Sequence, residues 1–177
     1  MKLEEIRTQE DVLRFMNENI QYGWIDASGK VHRNDMKNFR SAYRVAPLEQ
    51  CLCSGVGTCI EQVFLMHTIF CGLEIPNRMY CCRVYEPDDF GNLEEEEHMH
   101  CFLLYSFNGK VYHIEHPNIY RIGIFEYENE KAAIDAIERY YTDLRGGKQS
   151  PTTEFQEVEP GLTFRQFNSY INSLDGK

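Results

Sequence analysis

Apolar and polar positions recur along the chain of 177 residues with two different periods, and the period marks the elements. Thr8, with Asp11 three residues on, opens a helix that carries Val12, Phe15, Met16 and Ile20 on one side. Asp26-Ala27-Ser28-Gly29 is a turn cluster, followed by a mildly basic stretch from Lys30 to Arg44. Pro47, Ser54, Gly55 and Gly57 make residues 46–58 read as a loop. Thr58-Cys59-Ile60-Glu61 then has the form of a capping box, with Thr at the N-cap and Glu at the third helical position. The helix it opens carries Ile60, Val63, Phe64, His67 and Phe70 on one side, and Gly72 and Pro76 end it. Cys59 is thereby the first helical residue.

The next segments change to strand character. Met79 to Tyr85 is β-rich, and a polar loop over 86–97 follows. Cys101 to Phe107 and Lys110 to Glu115 flank Asn108-Gly109, the strongest short-range hairpin signal. Ile119 to Tyr127 reads as a further strand, and 129–145 as a helix with Ala133, Ile134, Ile137, Tyr141 and Leu144 on its apolar side. Residues 146–160 read as loop. Thr163 with Gln166 forms a second capping box ahead of a last helix over 163–174. Helices, then strands, then helices predict an α+β fold. The expected organisation is one domain over 1–177, with a core at about 45–127 and flanking helices at 8–20, 129–145 and 163–174.

The hairpin fixes a register. A two-residue turn at Asn108-Gly109 places Phe107 opposite Lys110, so the numbers of facing residues sum to 217. Side chains alternate along a strand, so 100, 102 and 104 share a face with 113, 115 and 117. His100 and Glu115 are diagonal neighbours on that face, within reach for long side chains. His98 has the same parity one step further away. His113 shares the face and reads as core or surface, and His116 points to the other face. His32 and His67 have no evident partner.

Composition narrows the chemistry. Lys plus Arg total 18 and Asp plus Glu 28, a net charge of −10, which argues against nucleic acid and anionic membrane as partners. No apolar run approaches the roughly 20 residues of a transmembrane helix. Met1-Lys2-Leu3-Glu4-Glu5 lacks the apolar centre of a signal peptide. Seven cysteines, two of them adjacent at Cys81-Cys82, fit a reducing, cytoplasmic setting better than a disulfide framework. Cys59 stands apart from the other six. The partial positive charge of a helix start lowers a thiol pKa, and a first-turn N–H has no helical partner, so it can donate to an oxyanion. Cys59, His100 and Glu115 form a nucleophile, a base and an orienting carboxylate.

Around these residues the sequence resembles the transglutaminase-like superfamily of papain-like thiol enzymes. Gly55-Val56-Gly57-Thr58-Cys59-Ile60-Glu61-Gln62 is similar to its nucleophile segment, and Gly72-Leu73-Glu74-Ile75-Pro76 follows at a similar spacing. His100-Cys101-Phe102-Leu103-Leu104-Tyr105 resembles its His strand, and Glu115-His116-Pro117 stands where that group usually has Asp followed by Pro. The resemblance covers about residues 45–120. It implies a core in which a helix bearing the nucleophile packs on an antiparallel sheet carrying the base and the acid. It implies a thioacyl intermediate on a peptide or protein amide, resolved by water in a peptidase or amidase, or by an amine in acyl transfer. No cofactor is implied. Glu replaces the usual Asp, and no aromatic residue follows Cys59. The second oxyanion donor is not identified; Gln50 is a candidate by analogy with the side-chain amide upstream of the nucleophile in papain-like enzymes, and Thr58 a further one.

Other readings compete for the same residues. The acidic stretch with Asp88, Asp89, Glu94, Glu95, Glu96 and Glu97 is either a solvated connector or a lip that attracts substrates with basic residues. His98 with His100 and Cys51 with Cys53 offer two donor pairs for structural zinc, although neither spacing is a strong zinc signal. An inactive binding module of the same fold is the remaining alternative. The sequence names no substrate, pathway or oligomeric state.

Overall fold

The computed structural model describes residues 1–33, 35–86 and 98–175, and it is an α+β structure built on an antiparallel sheet. After a short 3-10 turn at Leu3–Glu5, helix α1 runs over Gln9–Asn19, capped by Thr8 as its sequence predicts. Strands β1 (Gln21–Ile25) and β2 (Val31–Arg33) form a hairpin around the turn at 26–29, where Asp26 Oδ1 accepts from the Ser28 and Lys30 amides. The chain continues through α2 (Phe39–Ala42), α3 (Leu48–Ser54), β3 (Val56–Gly57) and α4 (Cys59–Gly72). Then come β4 (Asn77–Tyr85), β5 (His98–Phe107), β6 (Lys110–Glu115), β7 (Gly123–Tyr127), α5 (Glu130–Arg145), β8 (Lys148–Phe155) and α6 (Phe164–Leu174).

Two stretches read as loop are ordered elements. Within 46–58, Pro47 is the N-cap of α3, and Gly55 ends it in the left-handed region at φ 67°. The loop signals there are the punctuation of a seven-residue helix. Within 146–160, β8 has the sequence KQSPTTEF, without the apolar periodicity that identifies a strand. It forms because β4 offers an open edge. The pairs Cys81↔Thr153 and Arg83↔Ser150 enclose one residue on β4 but two on β8, one of them Pro151. Proline, lacking an N–H, is tolerated at such an edge bulge.

The main sheet has the order β7-β6-β5-β4-β8 and every pair is antiparallel; a smaller sheet has the order β2-β1-β3. On one face of the main sheet, Val63, Met66 and Phe70 of α4 share a core with Cys101, Leu103, Tyr105 and Ile114. On the other face, Ala133 and Ile137 of α5 cover Tyr80, Cys82, Phe102 and Leu104. Burial on both faces explains why the central strands β4 and β5 lack polar alternation. No helix among the described residues is long and apolar enough to cross a membrane.

The pairs of β5 with β6 run from Phe107↔Lys110 to Leu103↔Ile114, each summing to 217, around a turn in which Asn108 and Gly109 both have positive φ (49° and 75°). This ladder ends at Leu103, whereas β4 stays paired with β5 as far as His98. The two strands therefore part at residues 98–102, and the start of α4 approaches β5 there.

A buried carboxylate fixes that helix start. Glu61 Oε1 accepts from the Tyr43 hydroxyl at 2.7 Å and the Ala46 amide at 2.9 Å. Oε2 accepts from the Thr58 amide at 2.8 Å and the Thr58 hydroxyl at 2.6 Å. Replacing Glu61 with Ala leaves several of these donors buried without a partner and is expected to cost about 3 kcal/mol or more. Thr58→Ala, which removes the cap bond from the Ile60 amide and the hydroxyl bond to Glu61 but keeps the Thr58 amide on Glu61, is expected to cost less, about 1–2 kcal/mol. Urea unfolding of the two variants measures both losses and their order.

Candidate active site

Three elements converge where β5 and β6 part. Helix α4 brings Cys59 in its first turn, β5 brings His100, and β6 ends on Glu115. His100 Nε2 lies 2.8 Å from Glu115 Oε2, and both side chains are buried. With Nε2 committed to the carboxylate, Nδ1 is the ring nitrogen left for the thiol. Glu115 Oε1 accepts from the Asn118 amide at 3.0 Å. The Asn118 side-chain amide donates to the Tyr141 hydroxyl at 3.1 Å. Tyr141 in turn stacks on the His100 ring, with centroids 4.3 Å apart. Carboxylate, turn amide, phenol and imidazole thus form a closed circuit that holds the His100 ring in one orientation.

The electrostatics follow from burial and proximity. Burial opposes a charge on His100, but the Glu115 carboxylate and the Cys59 sulfur outweigh it and raise the imidazole pKa to about 10. Glu115 is held well below the usual carboxylate range: burial opposes ionisation, but the positive charge and hydrogen bond of His100 prevail. The Cys59 thiol is lowered well below its ordinary value, first by hydrogen bonding from the Cys101 thiol and then, against burial, by the hydrogen bond and charge of His100. The Cys101 backbone amide adds to this, being directed at Cys59 where β5 has left β6. Cys101 itself is pushed up by burial and by the neighbouring sulfur of Cys59, so it stays a thiol and donates. Both shifts favour a thiolate beside an imidazolium.

The remaining candidates fall in different places. Thr58 is next to Cys59, but its hydroxyl caps α4, accepting from the Ile60 amide and donating to Glu61. Gln50 is on α3, with its amide nitrogen 3.9 Å from where a β-carbon on Gly29 would stand, and it does not line the cavity around Cys59. It sits on a helix over 48–54, where the sequence predicts a loop. Glu94, Glu95, Glu96 and Glu97, with Asp88 and Asp89, lie outside the described residues. The proposed zinc donors do not gather: Cys51 is buried and Cys53 exposed on α3, and no group of three or more His, Cys, Asp or Glu among the described residues is arranged to hold a metal ion. All seven cysteines are free.

Several residues of the site were not predicted. His113 is fully buried, with Nε2 3.3 Å from Glu115 Oε2 but without the alignment of a full hydrogen bond. Burial holds its pKa down, so it stays neutral beside the carboxylate. Hairpin parity had placed it on this face. His116 joins the core on the α4 side: Nδ1 is 2.6 Å from Gln62 Oε1, and Gln62 Nε2 donates to the Gly57 carbonyl at 2.7 Å. The amide nitrogen is fixed by that carbonyl, so Oε1 is the acceptor and His116 Nδ1 carries the proton. With its pKa lowered to about 4 by burial, His116 is neutral, and its Nε2 is a bare acceptor. Asn118 carried no sequence signal, and Tyr141 only that of an apolar helix position.

A cavity of about 610 Å³ opens over Cys59 and His100. Tyr22 on β1 lines it, placed there because β1 pairs with β3 (Tyr22↔Gly57) two residues ahead of Cys59. Burial and the charge of Cys59 raise its phenol pKa, so Tyr22 remains a hydrogen-bond donor.

The comparisons with known proteins leave the reading to this geometry: no protein-family model matches the chain, and no curated protein matches it.

The ionisations give a direct expectation. Cys59 loses its proton well below the ordinary thiol range, and His100 keeps its own up to about 10, so the ion pair exists between those limits. Iodoacetamide at pH 6 is expected to alkylate Cys59 before the exposed Cys53 and Cys71. Glu115→Gln removes the charge that sustains the imidazolium, which raises the thiol pKa and is expected to move the midpoint of the alkylation profile up by about one pH unit or more. Peptide mass spectrometry across pH 4–10 reads both effects.

Proposed function

We propose that the protein is a cysteine-dependent acyl-transfer enzyme of transglutaminase-like or papain-like type, acting on an amide or related acyl carbonyl. The observation that carries this reading is His100, held by Glu115 at 2.8 Å beside a cysteine at a helix start. Such a pair has no evident structural use: it buries a carboxylate, an imidazolium and a thiolate that apolar residues could replace at lower cost.

The mechanism follows from the positions. The Cys59 sulfur attacks the carbonyl carbon and forms a C–S bond. The developing oxyanion is met by the Cys59 backbone N–H, which belongs to the first helical turn and has no carbonyl behind it. As the C–N bond breaks, His100 Nδ1 passes its proton to the leaving amine. A thioacyl enzyme remains. Water or an amine then attacks it, His100 takes the proton of that nucleophile, and the thiolate is released. Glu115 keeps the imidazole in the required tautomer throughout.

The test is a panel of peptide amides, offered with and without an added primary amine. Mass spectrometry is expected to find an acyl adduct on Cys59 that vanishes in Cys59→Ala and His100→Ala. Glu115→Gln is expected to lower turnover by about 10²-fold or more. The split between free acid and new amide as product decides between hydrolysis and transfer. An adduct on another cysteine, or turnover that survives Cys59→Ala, overturns the proposal.

A further inference from the structure

We infer that the cavity over Cys59 selects a substrate carrying an uncharged, ring-sized apolar group beside its reacting carbonyl; this rests on the acyl-transfer reading above. Four of the large apolar side chains that remain exposed among the described residues line this one cavity: Ile119 (60%), Tyr120 (89%), Ile122 (42%) and Leu144 (58%). Exposed apolar residues scattered singly need no explanation, whereas a cluster beside a reactive group marks a binding surface.

The loop that presents three of them is fixed in place. Asn118 Oδ1 accepts from the Tyr120 amide at 3.1 Å, and the Asn118 carbonyl accepts from the Arg121 amide at 2.8 Å. The Asn118 backbone N–H donates to Glu115. One turn therefore both fixes the acid and holds 119–122 with their apolar side chains outward. The charge within the loop is turned aside: the Arg121 guanidinium lies over the rings of Phe125 (4.5 Å) and Tyr140 (4.8 Å).

Among the described residues, the arginine that lines the cavity does not ask for an anion. Arg145 and His98 both face Glu86, at 3.3 and 3.2 Å. With the Arg145 charge met by Glu86, recognition among the described residues falls to apolar contact. The volume, about 610 Å³, lies within the range of small-molecule sites. The site therefore fits an acyl chain ending in a phenyl ring or a branched aliphatic group, and disfavours a carboxylate-bearing acyl group.

Acyl thioesters of N-acetylcysteamine share one small polar leaving group and test this directly. In the reaction Cys59 takes the acyl group, the thioester C–S bond breaks, the released thiolate takes the His100 proton, and water completes the cycle. The 3-phenylpropanoyl thioester is expected to exceed the acetyl one in kcat/KM by at least about tenfold, since ring-sized apolar burial is worth more than such a ratio. The succinyl thioester is expected to fall below both. Ile119→Glu and Leu144→Glu, at exposed positions where folding is not at stake, are each expected to bring the phenylpropanoyl-to-acetyl ratio toward unity. Equal rates for the three acyl groups, or a preference for succinyl, overturn the inference while leaving the acyl-enzyme mechanism standing. Absence of any acyl adduct on Cys59 from all three overturns the mechanism itself.

Discussion

The arrangement depends on the buried carboxylate of Glu61. Its two oxygens gather two groups of Thr58, the Ala46 amide and the Tyr43 hydroxyl into one knot at the start of α4. Burial raises its pKa, and the donors around it act the other way. A group of this kind is costly to bury and is tolerated only when fully satisfied. Here it fixes the position of the first helical turn, and with it the sulfur of Cys59 two residues away. The segment from Tyr43 to Ala46, otherwise irregular, is bound to the same knot.

The second determinant is the parting of β5 and β6. A continuous ladder would pair the Cys101 region with β6 and leave no room for a helix start. Because pairing stops at Leu103↔Ile114, a backbone amide of β5 turns to a sulfur instead of a carbonyl. His100 lies on the α5 side of the sheet with Phe102, whereas Cys101 lies on the α4 side. Cys59 reaches both because it stands where the strands separate rather than over either face. Tyr141 of α5 closes the site from the far side and couples the packing of that helix to the orientation of the imidazole.

These features divide the polar work. Glu115 serves two ends, one oxygen on His100 and the other on the Asn118 amide. His113 and His116 stay neutral in its surroundings, so of the three histidines about Glu115 only the ring that faces the thiol is raised toward the charged form. A field built in this way favours the thiolate, and the described residues at the cavity mouth include the apolar side chains of Ile119, Tyr120, Ile122 and Leu144.

The sequence by itself determined the local elements and one long-range pair. Capping boxes at Thr8, Thr58 and Thr163 are encoded within four residues and appear where they were read. Asn108-Gly109 forces positive φ at two positions, so the register of β5 against β6, and the nearness of His100 to Glu115, follow from arithmetic. Other features depended on partners distant in the chain. Strand β8 has no apolar period and exists because β4 has an open edge. Helix α3 was hidden by the proline and glycine that bound it. Gln50 sits on that helix and does not line the cavity, and Asn118, Tyr141, His113 and His116 were recruited to the site by packing. Backbone propensity acts over a few residues and is written in them; burial and hydrogen-bond satisfaction are settled between elements, and only the folded chain decides which meet.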